Sequence, residues 1–204
     1  MFRAMRVIVV AGFILFTVPI QAATLFTNGS FTSNASGWIG GGGCAGGVFD
    51  GSFGNPAGSV LLNSCGEAGS DPFIQQAVAG LTPGATYIVS VDVHLHVNIG
   101  ANGKTFGIFV DQGGPNVPIL LTEFLDNAWH TGVTASFIAS TTSHLITFAA
   151  ELDTRTAGVS SNSDVSYYVD NAALNAQAVG VPEPSVLWLA GSGLSVVLLL
   201  KRRR

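Results

Sequence analysis

The sequence predicts an all-β protein: an antiparallel β-sandwich of the jelly-roll kind over residues 24–180, set between an apolar leader and an apolar tail. Three observations carry that prediction. Short runs rich in Val, Ile, Phe, Thr and Tyr recur through the body, Gly, Asn, Pro and Ser punctuate them, and no stretch repeats apolar residues with the 3.6-residue period of a helix. A chain of 204 residues is one domain of ordinary size plus accessory segments, so a single core is expected.

The leader, MFRAMRVIVVAGFILFTVPIQAA, sets Arg3 and Arg6 ahead of an apolar run and ends on Ala22 and Ala23. That order of charged, apolar and small residues is a secretory signal peptide over residues 1–23, with cleavage expected after Ala22 or Ala23. In the body, strands are expected at 25–31, 48–53, 59–62, 73–78, 106–110, 119–124, 132–138, 145–152 and 167–174. The clearest strand is TYIVSVDVHLHVN at 86–98. There Val89, Val91, Val93, Leu95 and Val97 share one face, while Ser90, Asp92, His94, His96 and Asn98 share the other. The valine-rich face is core, and the polar face points outward or lines a groove. In the preceding GLTPGATY, Pro83 and Gly84 suit the two central positions of a type II turn. The glycines of GWIGGGGCAGG read as a surface loop pinned by Cys44.

Cys44 and Cys65 are the only cysteines. In an exported chain they read as a disulfide. Closing a loop of about twenty residues contributes on the order of 3 kcal/mol in the chain-entropy model. Between residues 24 and 180, Lys104 and Arg155 face eleven acids, a formal balance of −9. Such a body repels phosphate backbones, which argues against a nucleic-acid partner.

Candidate chemistry is sparse. Asp92, His94 and His96 share a strand face, and two histidines at i and i+2 can share a transition metal if His130 or His144 supplies a third ligand. A solvated polar face accounts for them as well. Glu151 and Asp153 meet the spacing of a glycosidase acid pair, yet Arg155 follows in phase and makes the run an alternating charged surface. Nucleophile elbows and phosphate-binding loops are absent from the body. Sugar binding asks only for an aromatic platform beside hydrogen-bonding groups. Trp38 and Trp129 are the leading glycan contacts, with Phe49, Phe53, Tyr167 and Tyr168 the other aromatics outside obvious core phase; packing at the sandwich rim is the competing role for either Trp.

The tail, VPEPSVLWLAGSGLSVVLLLKRRR, holds sixteen residues at 185–200, or about 24 Å of helix against a hydrocarbon core of roughly 30 Å. It reads as a single, marginal transmembrane helix, with Lys201, Arg202, Arg203 and Arg204 stopping it on the cytoplasmic side. Pro182 and Pro184 hold Val181 and Glu183 extended, the conformation in which proteases take substrates.

Two resemblances follow from these residues. Val181, Pro182, Glu183 and Pro184, a short apolar helix and a terminal basic cluster resemble the PEP-CTERM sorting signal over residues 181–204. That likeness implies processing by an exosortase-type membrane protease, brief residence in the inner membrane, and release to the cell surface or an exopolysaccharide layer. The body is similar to the galactose-binding-like jelly rolls related to family 4/9 carbohydrate-binding modules, through TNGSFTSNASGW, PFIQQAVAGLTPGATYIVSVDV, a Trp129 strand and the closing SYYVDNAAL. This likeness implies a polysaccharide partner and a structural calcium at Asp170 with backbone oxygens near Asn28. The expected role is therefore a non-enzymatic binding or structural module of a biofilm matrix. A small secreted glycoside hydrolase or lyase on the same fold is the alternative.

Overall fold

Alternation along residues 86–98 decides which way the longest strand faces, and the rest of the sandwich assembles around it. The computed structural model describes residues 24–64, 71–99, 104–111, 118–152 and 164–177. The leader, the tail, Cys65, Asp153 and Arg155 lie outside the described residues. Among the described residues there are ten strands: β1 (Ile39–Gly41), β2 (Ala45–Gly54), β3 (Ala57–Asn63), β4 (Phe73–Ala79), β5 (Thr86–Ile99), β6 (Lys104–Val110), β7 (Pro118–Glu123), β8 (Trp129–Ile138), β9 (Ser143–Leu152) and β10 (Asp164–Ala176). They form two five-stranded antiparallel sheets, in the order β1-β4-β9-β6-β7 and β2-β3-β10-β5-β8. No helix among the described residues is long and apolar enough to cross a membrane, and the predicted membrane segment lies outside them.

The core lies between the sheets. Val89, Val91, Val93 and Leu95 of β5 point into it with Val165, Tyr167 and Val169 of β10, and meet Phe106, Ile108, Ile146 and Phe148 from the first sheet. Burying each such side chain stabilises the fold by about 1.5–3 kcal/mol relative to exposure. Burial drives the Tyr167 hydroxyl pKa far above its ordinary value.

The turn before β5 forms as its chemistry requires. The Ala85 amide donates to the Thr82 carbonyl at 3.1 Å, and Gly84 takes φ +84°, the left-handed conformation that glycine adopts freely.

Residues 25–31 depart from expectation. They run as bends and a turn in place of a strand, with Asn28 at φ +53° and Phe31 at φ +44°. Only isolated ladder bonds survive, Leu25 donating to Leu174 and Gly29 accepting from Ala172. Gln76 of β4 holds this segment from inside. It accepts from the Thr27 amide at 2.8 Å and donates to the carbonyls of Thr27 at 2.9 Å and Gly37 at 3.1 Å. The segment thereby seats Phe26, Phe31 and Trp38 as an aromatic plug on Phe148.

Candidate functional site

The outer face of the second sheet gathers the chemistry. Strand register places Val48, Leu61, Tyr168, His94 and Trp129 opposite one another in turn, one residue from each of β2, β3, β10, β5 and β8. Val60 and Leu62 beside Leu61, Tyr167 and Val169 beside Tyr168, and Val93 and Leu95 beside His94 face the core, so this transverse row stands on the outside. Phe53 completes it. The register of β2 slips between Asp50 and Gly54, and that irregularity swings Phe53 off the sheet edge and onto the outer face. Its ring stacks on Trp129 with centroids 5.6 Å apart and an interplanar angle of 28°, and reaches Tyr168 at 4.5 Å and His94 at 5.0 Å. In a flat sheet β2 would stand about 19 Å from β8, four spacings away, so the tip of the β2–β3 hairpin arches over the face.

Polar groups rim the aromatics. Asp50 accepts from the Ser52 amide at 2.9 Å and hydroxyl at 2.7 Å, and from the Tyr168 hydroxyl at 3.2 Å. The Ser52 bonds hold its carboxyl below the usual carboxylate range. Burial, with the Asp50 charge beside it, raises the Tyr168 pKa. Burial also lowers the pKa of His94, against an opposing backbone hydrogen bond with Asn127, and its Nδ1 is enclosed with no partner. His96 is exposed and sets its ring 5.1 Å from Tyr168. The face thus offers flat apolar rings beside an anionic acceptor and a neutral imidazole.

The other predicted site residues scatter. Trp38 is 9% exposed, packs on Phe26, Phe31 and Phe148, and donates its indole N–H to the carbonyls of Thr27 at 3.0 Å and Asn28 at 3.2 Å. This corrects its expected role as a glycan contact, because the core encloses its ring. His130 opposes Val93, leaves the face of His94, and pairs its Nε2 with Asp126 Oδ1 at 2.7 Å. His144 sits 4% exposed in the first sheet. Its Nε2 accepts from the amides of Ser140 and Thr141 at 3.0 and 3.3 Å, so its Nδ1 carries the proton and donates to Asp111. Neither histidine can join His94 and His96 around a metal. Among the described residues no three His, Cys, Asp or Glu side chains gather to hold an ion. Glu151 lies on β9 opposite Thr105, and its proposed partner Asp153 is outside the described residues. Cys44 carries no free thiol, and its expected partner Cys65 is likewise outside.

Asp170, the residue matched to a calcium ligand, is fully buried. Its oxygens accept from the amides of Asn55 at 2.7 Å and Asn171 at 2.6 Å, while the Asn28 carbonyl accepts from Trp38. Calcium takes six to eight oxygens, and the described residues do not assemble that set. Burial raises the pKa of Asp170, and the nearby Asp92 charge adds to the rise. Asp92 in turn accepts from Gly132 N at 2.7 Å and from Asn171 Nδ2 at 2.9 Å.

Sequence reasoning named Phe53 among the available aromatics without placing it over Trp129, and it missed the parts played by Asp50 and Asn171. The readable signal was phase: Tyr168 alternates with core Tyr167 and Val169 just as His94 alternates with Val93 and Leu95.

No protein-family model matches the sequence, and no curated protein matches it. Solved structures do match. The C-terminal family 22 carbohydrate-binding module of Clostridium thermocellum Xyn10B aligns at 20% identity and TM-score 0.52, over 79% of this chain and 99% of that one. The second family 22 xylan-binding domain of Paenibacillus barcinonensis Xyn10C aligns at 17% identity and TM-score 0.53, over 73% of this chain and 98% of that one. A further family 22 xylan-binding domain gives 21% identity and TM-score 0.52, over 79% and 100%. The described body therefore has the β-sandwich fold shared by these carbohydrate-binding modules.

Proposed function

We propose that this chain is an exported, non-enzymatic carbohydrate-binding protein that takes a polysaccharide on the outer face of the second sheet. The observation that carries the reading is the row of Tyr168, His94 and Trp129 with Phe53 over it. Aromatic faces match the axial C–H surface of a pyranose ring, and the half-buried Phe53 and Trp129, backed by buried Tyr168, can stack on it without unfolding anything. Asp50, Ser52 and His96 are the rim groups within reach of sugar hydroxyls. The aligned xylan-binding modules support a polysaccharide as the ligand class.

Export and address rest on the termini. Residues 1–23 act as the signal peptide, and residues 181–204 as a PEP-CTERM tail cut near Pro182, Glu183 and Pro184 by an exosortase. The cut removes Lys201 to Arg204 and delivers the module to the cell surface or its exopolysaccharide. In this setting Cys44 and Cys65 form the disulfide.

Affinity electrophoresis of the full-length chain through gels containing soluble polysaccharides tests the reading. Retardation by at least one polysaccharide, abolished by Trp129→Ala, is expected. Unaltered mobility in every gel, or turnover of a polysaccharide, would overturn it. For the tail, mass spectrometry of the secreted protein should find no peptide containing Lys201 to Arg204.

A further inference from the structure

Beside the aromatic row, two residues along β5 and β10 on the same face, lies a network that the binding reading leaves unused. Asp92 of β5 and Asp170 of β10 are direct cross-strand partners, both buried, and neither meets a cation among the described residues. Two like charges side by side in a dry setting oppose folding unless donors compensate them. Here every donor is a neutral amide. Gly132 N and Asn171 Nδ2 serve Asp92, and the amides of Asn171 and Asn55 serve Asp170. The other hydrogen of Asn171 Nδ2 goes to the Asn55 carbonyl. Asn55 is thus gripped through both its N–H and its C=O by residues 115 and 116 positions away. It stands at the hairpin tip, two residues beyond Phe53.

We propose that this network is a latch: Asp170, Asp92 and Asn171 position the β2–β3 hairpin so that Phe53 lies over Tyr168, His94 and Trp129, and so set the affinity of the face without touching ligand. The effect on affinity rests on the carbohydrate reading; the placement of Phe53 does not. The latch has a geometric logic. A bulged hairpin at a sheet edge has few ladder bonds to fix its tip, and the slip between Asp50 and Gly54 removes more. Side-chain bonds from β10 supply the missing restraint, and they come from the strand that also carries Tyr168.

Asn171→Gly in the full-length chain is the informative variant. Asn171 has φ +48°, which glycine accepts, so the change removes both side-chain links and leaves the backbone undisturbed. Two readouts are taken: acrylamide quenching of Trp129 emission, isolated by difference from Trp129→Phe, and polysaccharide affinity. Asn171→Gly should make Trp129 more quenchable, to the level of Phe53→Ala, and weaken binding about tenfold, the scale of one well-placed hydrogen bond. Asp92→Ala, which removes the acceptor for Asn171 Nδ2, should move both readouts the same way and serves if the first variant does not fold. Trp129 quenching unchanged in the folded variant would overturn the latch. If the parent chain binds no polysaccharide, the carbohydrate reading falls, and the quenching result still decides the latch.

Discussion

Trp38 and Trp129 have the same side chain in opposite settings. Trp38 is enclosed by Phe26, Phe31 and Phe148, and its indole N–H is satisfied by two backbone carbonyls. Trp129 is half-buried, stacked on one side by Phe53 and flanked by His94, on a face where Phe53 and His94 are also half-buried, His96 is exposed and Tyr168 is buried beneath Phe53. The first arrangement closes the sandwich; the other leaves a platform. On the proposed function, stability and recognition are carried by separate aromatic clusters, and mutations should separate them.

The largest expected effect breaks the first cluster. Trp38→Ala should cost about 3–5 kcal/mol, read as a large fall in the chemical denaturation midpoint, because it leaves a cavity against Phe148. Trp129→Ala should abolish polysaccharide retardation while moving that midpoint little. If the two variants lose stability equally, the division between plug and platform is wrong. Next comes Gln76→Ala, expected to cost about 1–3 kcal/mol by leaving the Thr27 amide and the Thr27 and Gly37 carbonyls unpaired, with binding by the folded fraction unchanged.

A smaller effect concerns pH. Burial lowers the His94 pKa below its ordinary value of 6.5. Between that lowered value and 6.5 the unfolded chain binds more protons than the folded one, so stability rises with pH through this window and falls on acidification. Thermal melts from pH 7 downward should show this slope below 6.5, and His94→Phe should flatten it. The smallest change expected is Asp50→Asn. Its carboxyl is depressed by Ser52, so its stabilisation is present above the ordinary carboxylate pKa and lost as pH falls through the folded value. The group is only half-buried at the rim of the face, so the variant should alter ligand selectivity more than melting.

Much of the fold was legible because it is local. The alternation of Val89 to Leu95 against Ser90 to His96, and the Pro83–Gly84 turn, depend on residues within a few positions. The fates of the two tryptophans do not. Each follows a turn-rich segment, and nothing near Trp38 in sequence announces Phe148, far along the chain in β9. The strand expected at 25–31 failed for the same reason. Gln76, 49 positions from Thr27, claims the backbone groups a ladder would use. Phe53 was hidden in a similar way, since its position follows from a register slip and from bonds to Asp170 and Asn171 that no local pattern encodes. The charge balance of the body was readable at once, and it left the aromatic face as the natural contact for a partner without phosphate.

Fluorescence titration with the best-retarded polysaccharide tests the platform most directly. The parent chain and Trp38→Phe should both show a saturable change in emission, with similar midpoints, and Trp129→Phe should show none. A saturable change that persists in Trp129→Phe and vanishes in Trp38→Phe would contradict the assignment of the binding face to the second sheet.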